Sequence, residues 1–324
     1  MRATVVCSMR NEGAFLLEWV CWYRMLGFTD ILVVTNDCSD HSPALLQALA
    51  AAGWLHHLDC AVLPGEKVVA AKLKLARRHR SLRRADRVLV CDVDEFLVIH
   101  RGAGLLADLL AVAPDALAMA INWRVFGTSG WLHWEDGLTH RQFLRAGPTR
   151  NPISRWIKVI HGQPLAFRAL GEHGPKLPDP ARLTGAVRLV NSEGAEVPGW
   201  GGSVYLRQLP QALTTHAVAQ MNHYMLRSED SWALKRGSLS AVAGKDRYND
   251  SYYESTNRNE LEDTSALRHA ARFDAIHAEA MALPEVARLH HLCCADYAAR
   301  LAEAAGIAPQ ADARWCWHMG QAGG

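Results

Sequence analysis

The stretch RVLVCDVDEFLVIH, residues 87–100, sets Asp92, Asp94 and Glu95 between two apolar runs at 88–90 and 97–99. Carboxylates next to apolar packing are costly unless they are paired or bound to a cation. Asp92 and Asp94 follow a strand-like run, so both can point from its end toward one site. Two such oxygen donors suit a hard divalent ion, Mg²⁺ or Mn²⁺, of the kind held by one or two carboxylates together with substrate phosphates. Such an ion neutralises charge on a departing diphosphate. The competing reading is a strand end whose acids face water or pair with arginine.

The elements around this motif alternate. ATVVCS (3–8) and DILVVTN (30–36) read as buried strands, 54–60 as a short one, RVLVC (87–91) as a fourth and ALAMAINW (116–123) as a fifth. Helical patterns lie between them. One opens at Asn11, written as its cap, and closes at Gly27. One is capped by Ser42 and ends at Gly53, and others cover 67–84 and 103–112. Continuous apolar strands alternating with helices imply a parallel sheet covered on both faces. Ligands of such sheets bind outside the carboxyl ends of the strands, where Cys7-Ser8, Asn36-Asp37 and Asp92-Asp94 would fall. From 127 to 210 the chain is rich in Gly, Pro and Trp. Helices are expected at 228–243, 259–281 and 284–305, and the last stretch, RWCWHMGQAGG, should pack its tryptophans and fray.

Five segments resemble, in order, a group of family-two-like and family-ninety-two-like glycosyltransferases. They are CSMRNEGAFLLEWVCWYRMLGF, TNDCSDHS, CDVDEFLV, NWRVFGTSGW and QMNHYMLRSEDSWALKRG, spread over residues 1 to about 240. The resemblance implies a GT-A fold: an α/β, Rossmann-like, mostly parallel sheet with flanking helices, here followed by a C-terminal helical region. It implies a glycosyltransferase domain at 1–240, with a nucleotide-sugar-binding half (1–124), an acceptor-binding half (125–240) and a helical extension at 241–324. The implied activity is inverting, metal-dependent sugar transfer from a UDP-sugar to a glycan or lipid-linked acceptor, as in polysaccharide assembly. Mn²⁺ or Mg²⁺ would sit on Asp92, Asp94 and His223, with Asp92 also reaching the donor ribose. Arg10, Asn11, Glu12 and Asp37 would line the nucleoside, and Lys235 and Arg236 would balance the diphosphate. Thr35 and His41 depart from the family's second-strand loop, which carries Asp and Gly there.

An inverting transfer also needs a base to take the acceptor proton. Glu172, in ALGEHGPK, and Asp136, with its neighbour Glu135 in WLHWEDG, are the candidates, and Glu172 is preferred. Trp123, Trp131, Trp134, Trp156 and Trp200 offer faces for pyranose rings, although indoles are also ordinary core material. Two other classes stay open. One is a non-catalytic nucleotide- or sugar-binding module on the same fold. The other is a haloacid-dehalogenase-type phosphatase, disfavoured because Phe96 stands where Thr or Val is usual and because the motif follows the fourth strand rather than the first.

Composition narrows the rest. With 324 residues, 49% hydrophobic and 21% charged, the chain can bury a sizeable core. A net charge of +2 gives no footing for bulk nucleic-acid binding. Eight scattered cysteines without a CxxC pair suggest a reduced, cytoplasmic protein. HHLCC (290–294) puts only His290 and Cys294 on one helical face, too few ligands for zinc, and reads as core. The basic run KLKLARRHRSLRRADR (72–87) reads as the wet side of an amphipathic helix, the alternative being peripheral contact with an anionic membrane face.

Overall fold

The structure, a computed structural model, describes residues 1–236 and 247–323. Strands β1 (Ala3–Ser8), β2 (Asp30–Thr35), β3 (His56–Asp59) and β4 (Arg87–Val90) lie parallel in the order β3-β2-β1-β4. Their apolar runs are unbroken because both faces are covered. The covering helices are α1 (Gly13–Met25), α2 (Ser42–Ala51), α3 (Val68–Ala76) and α4 (Arg80–Arg83). The helix expected over 67–84 breaks because His79 is extended and its ring accepts the Ser81 N–H, starting a new turn.

The helix starts differ from expectation. Asn11 does not cap α1: its backbone is left-handed (φ 55°) and its side chain clamps Ser39 in both directions. Ser42 does not cap α2 either. Asp40 instead serves both ends, accepting from the Gly13 N–H (3.1 Å) and the Ser42 hydroxyl (2.6 Å). Gly13 is required by close approach, since a Cβ there would lie 2.6 Å from Cys293 Sγ and 2.9 Å from Ser42 Oγ.

Beyond β4 the sheet becomes mixed. The chain continues through β5 (Glu95–Ile99), α5 (Leu106–Leu110), β6 (Ala118–Val125), α6 (Thr139–Gln142), β7 (Arg145–Ala146) and β8 (Ile157–His161). A hairpin of β9 (Phe167–Gly171) and β10 (Gly174–Pro178) precedes β11 (Leu189–Asn191) and β12 (Ala219–His223). β8 inserts antiparallel between β4 and β6, and β5 runs antiparallel along β12. The purely parallel arrangement is thus corrected, while the mostly parallel α/β sheet with flanking helices stands.

The C-terminal part is helical: α7 (Glu229–Lys235), α8 (Asp250–Thr256), the short β13 (Leu261–Glu262), α9 (Ala270–Met281), α10 (Val286–Ala304) and α11 (Ala313–Gly323). The expected helix at 228–243 stops at Lys235 as α7, and the rest of that stretch from 237 lies outside the described residues. α9 and α10 pack on α1, sealing Trp19, Trp22 and Tyr23 between them and the sheet. From α1, Trp22 Nε1–H donates to the Leu97 carbonyl (2.9 Å) and the Tyr23 hydroxyl to that of Glu95 (3.1 Å), fixing β5. The last stretch forms α11, with Trp317 53% exposed and His318 buried.

Gly13→Ala is expected to cost about 1–3 kcal/mol by overpacking, read from urea unfolding. His161 supplies a pH test. It is buried, its Nδ1–H donates to the Gly162 carbonyl and its Nε2 has no partner. Burial lowers its pKa from 6.5 to about 4. The unfolded chain therefore takes up this proton first. Stability from neutral His161 is complete above the unfolded value and is lost as pH falls toward the folded one, by about 3 kcal/mol. Unfolding midpoints of His161→Gln should fall less steeply over that range than those of the parent; equal slopes would contradict this.

Candidate active site

The acidic turn between β4 and β5 is built around a buried cation. Lys158, on β8, is 1% exposed, and its Nζ lies 2.7 Å from Glu95 Oε2 and 2.8 Å from Asp92 Oδ2. The same Glu95 oxygen accepts the Asp92 N–H (2.9 Å), closing the turn. Burial pushes the Glu95 carboxyl up to about 6, with Lys158 opposing and Asp92 adding to the rise. Burial disfavours the Lys158 ammonium, but Asp92 and Glu95 more than compensate and hold its pKa well above the ordinary lysine value.

The antiparallel register of β5 and β12 sets His223 opposite Glu95. His223 Nε2 then lies 3.5 Å from Asp94 Oδ1, and its Nδ1 lies 3.6 Å from Glu95 Oε1. Both of the latter atoms are buried without a hydrogen-bond partner. Two donors each about 2.1–2.2 Å from a shared ion sit roughly 3.0–3.5 Å apart. A hydrogen bond would be shorter. Asp94 and His223 thus fit a divalent cation between them. Asp92, 44% exposed, turns its Oδ2 to Lys158, so of the three expected ligands Asp94 and His223 face each other and Asp92 faces the ammonium. Burial works against ionising Asp94, but His223 first, then Lys235 and Arg227, hold its carboxyl far below the usual range.

Arg227 was not anticipated. It sits at a left-handed position (φ 61°) just after β12, stacks 3.3 Å from the Phe15 ring centroid and donates to Glu12 (3.1 Å). Its only sequence signal is its place in NHYMLRSED, and nothing in that spacing shows that it turns inward. Lys235 donates to the Met225 carbonyl (2.9 Å) and its charge reaches Asp94. Arg236 instead pairs outward with exposed Asp250 (2.8 Å), because α7 ends there and turns it away.

The nucleoside candidates gather at the rim of β1 and β2. Arg10 Nε–H donates to the Asp37 carbonyl (3.1 Å), Asp37 is left-handed (φ 45°) and its carboxylate accepts from Asn36 (2.9 Å). Ser8 Oγ and Asn36 Oδ1 are buried there without partners. Lys72 of the basic run is buried and donates to the Met9 carbonyl (3.1 Å). That run is therefore not a uniform wet face.

Of the base candidates, Glu172 lies in the electrostatic field of Asp92 and Lys158. Burial raises its pKa and Asp92 raises it further, which strengthens it as a base. Asp136 faces His290 and His318 in a separate cluster with α10 and α11, and Glu135 is exposed. Trp123 stacks on Trp156 (5.4 Å, 13°) and meets His223 edge-on (4.3 Å). His173 touches both indoles; burial, then Lys158, lowers its pKa to about 3, leaving it neutral. Trp134 and Trp200 are core, and Trp131 donates to the Gln142 carbonyl.

No family model matches the chain, and no curated protein matches it by sequence. Among solved structures it is similar to residues 1–349 of TarS from S. aureus, at 10% identity over 99% of this chain and 88% of that one, with a TM-score of 0.34. The same fragment in complex with UDP-GlcNAc gives 14% identity, 99% and 93% coverage and a TM-score of 0.35. The galactosyltransferase LgtC, in complex with donor and acceptor sugar analogs, gives 15% identity over 37% of this chain and a TM-score of 0.23, and the chain covers 46% of LgtC. At these scores the likenesses decide neither substrate nor mechanism. No helix among the described residues is long and apolar enough to cross a membrane.

Lys158→Ala leaves Glu95 buried without its cation. A loss of about 3–5 kcal/mol is expected, measured by urea unfolding; a change below about 1 kcal/mol would mean that the turn does not need this ion pair.

Proposed function

We propose that the chain is a metal-dependent, inverting glycosyltransferase of the GT-A kind, acting on a UDP-sugar with a glycan or lipid-linked acceptor. The observation that carries this reading is the Asp94–His223 pair, 3.5 Å apart at the end of the acidic turn, with Arg227 and Lys235 in electrostatic reach. Asp94 and His223 would hold Mn²⁺ or Mg²⁺, which when bound supplies positive charge against the leaving diphosphate.

The chain's own residues do the rest. Arg227 and Lys235 offset phosphate charge, so negative charge that develops on the leaving oxygen meets fixed cations in a partly dry site. Ser8, Asn36 and Asp37, with Arg10 and Asn11 lacing the two loops together, supply polar groups for the nucleoside. Asp92, only partly buried, is free on one oxygen side to take a ribose hydroxyl. Trp156, half-buried and backed by the buried Trp123, offers an indole face suited to a sugar ring. Glu172 takes the acceptor hydroxyl proton as the new C1–O bond forms, while the C1–O bond to the β-phosphate breaks on the opposite face.

Isothermal titration with UDP tests this. Mn²⁺ should tighten binding by about tenfold or more, equivalent to about 1.4 kcal/mol. Asp94→Ala and His223→Ala should abolish that enhancement while leaving metal-free UDP binding little changed. UDP affinity indifferent to Mn²⁺ in the parent chain would remove the metal mechanism.

A further inference from the structure

We infer that Asp136, His290 and Cys294 form a transition-metal site of the zinc class, separate from the acidic turn. The sequence offers only the i, i+4 pair His290 and Cys294 on α10. The fold adds Asp136 from the loop that follows β6, and His318 from α11. Ligand atoms of Asp136, His290 and Cys294 all lie within 4.8 Å of one another. Asp136 Oδ1 is 3.6 Å from His290 Nε2, and Cys294 Sγ is 3.7 Å from the same nitrogen.

Those separations suit a shared metal. Hydrogen bonds between nitrogen and oxygen close to about 2.7–3.2 Å. Ligands on a tetrahedral zinc, with Zn–N and Zn–O about 2.0–2.1 Å and Zn–S about 2.3 Å, stand roughly 3.3–3.7 Å apart. A carboxylate, an imidazole and a thiol together suit Zn²⁺ or Co²⁺ and do not suit Mg²⁺. His290 and Cys294 are buried, whereas the Asp136 side chain is 24% exposed, so an ion can enter from its side. His318 Nε2 stands 3.9 Å from the other Asp136 oxygen, and His318 Nδ1 meets His291 Nδ1 at 3.1 Å. His318 thus groups with Asp136 and His291 rather than with His290 and Cys294, and a fourth position falls to water. An ion here ties the 127–138 loop to α10 and, through Asp136, steadies α11. Asp136 is thereby a ligand rather than the acceptor base.

The test is Co²⁺ titration of the intact chain, followed by its near-ultraviolet thiolate-to-cobalt charge-transfer band. The Asp94–His223 pair has no sulfur and cannot produce that band. The expected result is a band that saturates stoichiometrically and is displaced by Zn²⁺. It should be lost in Cys294→Ser, weakened in His290→Gln and Asp136→Asn, and kept in Cys316→Ser, which changes an exposed thiol. Absence of the band from the parent chain, a reading that needs no variant to fold, overturns the site. So does a band that persists in Cys294→Ser.

Discussion

A single ammonium group governs the shape of the candidate catalytic rim. Lys158 lies buried against Glu95, where neither charge could be tolerated alone, and the half-exposed Asp92 closes on the same ammonium. Because Glu95 also receives the Asp92 N–H, the ion pair fixes the backbone of the turn as well as its charge. Trp22 and Tyr23 grip the following strand from α1, and pairing with β12 sets His223 in register with Glu95. The position of Asp94 against His223 follows from these constraints. Neither residue needs a conformation of its own to reach the other.

The buried acid also orders the surrounding electrostatics. Glu95 is held between Lys158 on one oxygen and the imidazole of His223 near the other. That leaves Asp94 facing His223 Nε2, within the electrostatic reach of Lys235 and Arg227. Such an arrangement concentrates positive charge where a diphosphate would lie, and keeps one carboxylate available to a cation. The cluster of Asp136 with α10 and α11 has the opposite character. It contains sulfur, and it lies among helices rather than at strand ends. Hard and borderline-soft ions would therefore sort between the two places by ligand chemistry alone.

Much of the parallel half was legible because buried strands announce themselves as apolar runs and glycines mark helix ends; Gly27 and Gly53 both take positive φ after α1 and α2. Asp94 was legible as a carboxylate just past a buried strand, and His223 only through the family resemblance; the fold brings the two together. What failed depended on tertiary context. β5 begins at Glu95 and β8 carries Lys158 at its second position, so a buried ion pair hid the start of one strand and the strand character of the other. Asn11 has the chemistry of a helix cap, yet a left-handed backbone turns it to the neighbouring loop. Arg227 and the Asp136–His290–Cys294 grouping join residues far apart in the chain, and no local pattern encodes their meeting.

The most direct measurement is an anomalous difference map from a crystal of the chain soaked in Mn²⁺ and UDP. The expected result is a peak about 2.2 Å from both Asp94 Oδ1 and His223 Nε2, with the diphosphate on its open side and Lys158 still joined to Glu95. A bound nucleotide at this rim with no peak between those two atoms, or Mn²⁺ held only elsewhere on the chain, would contradict the central claim.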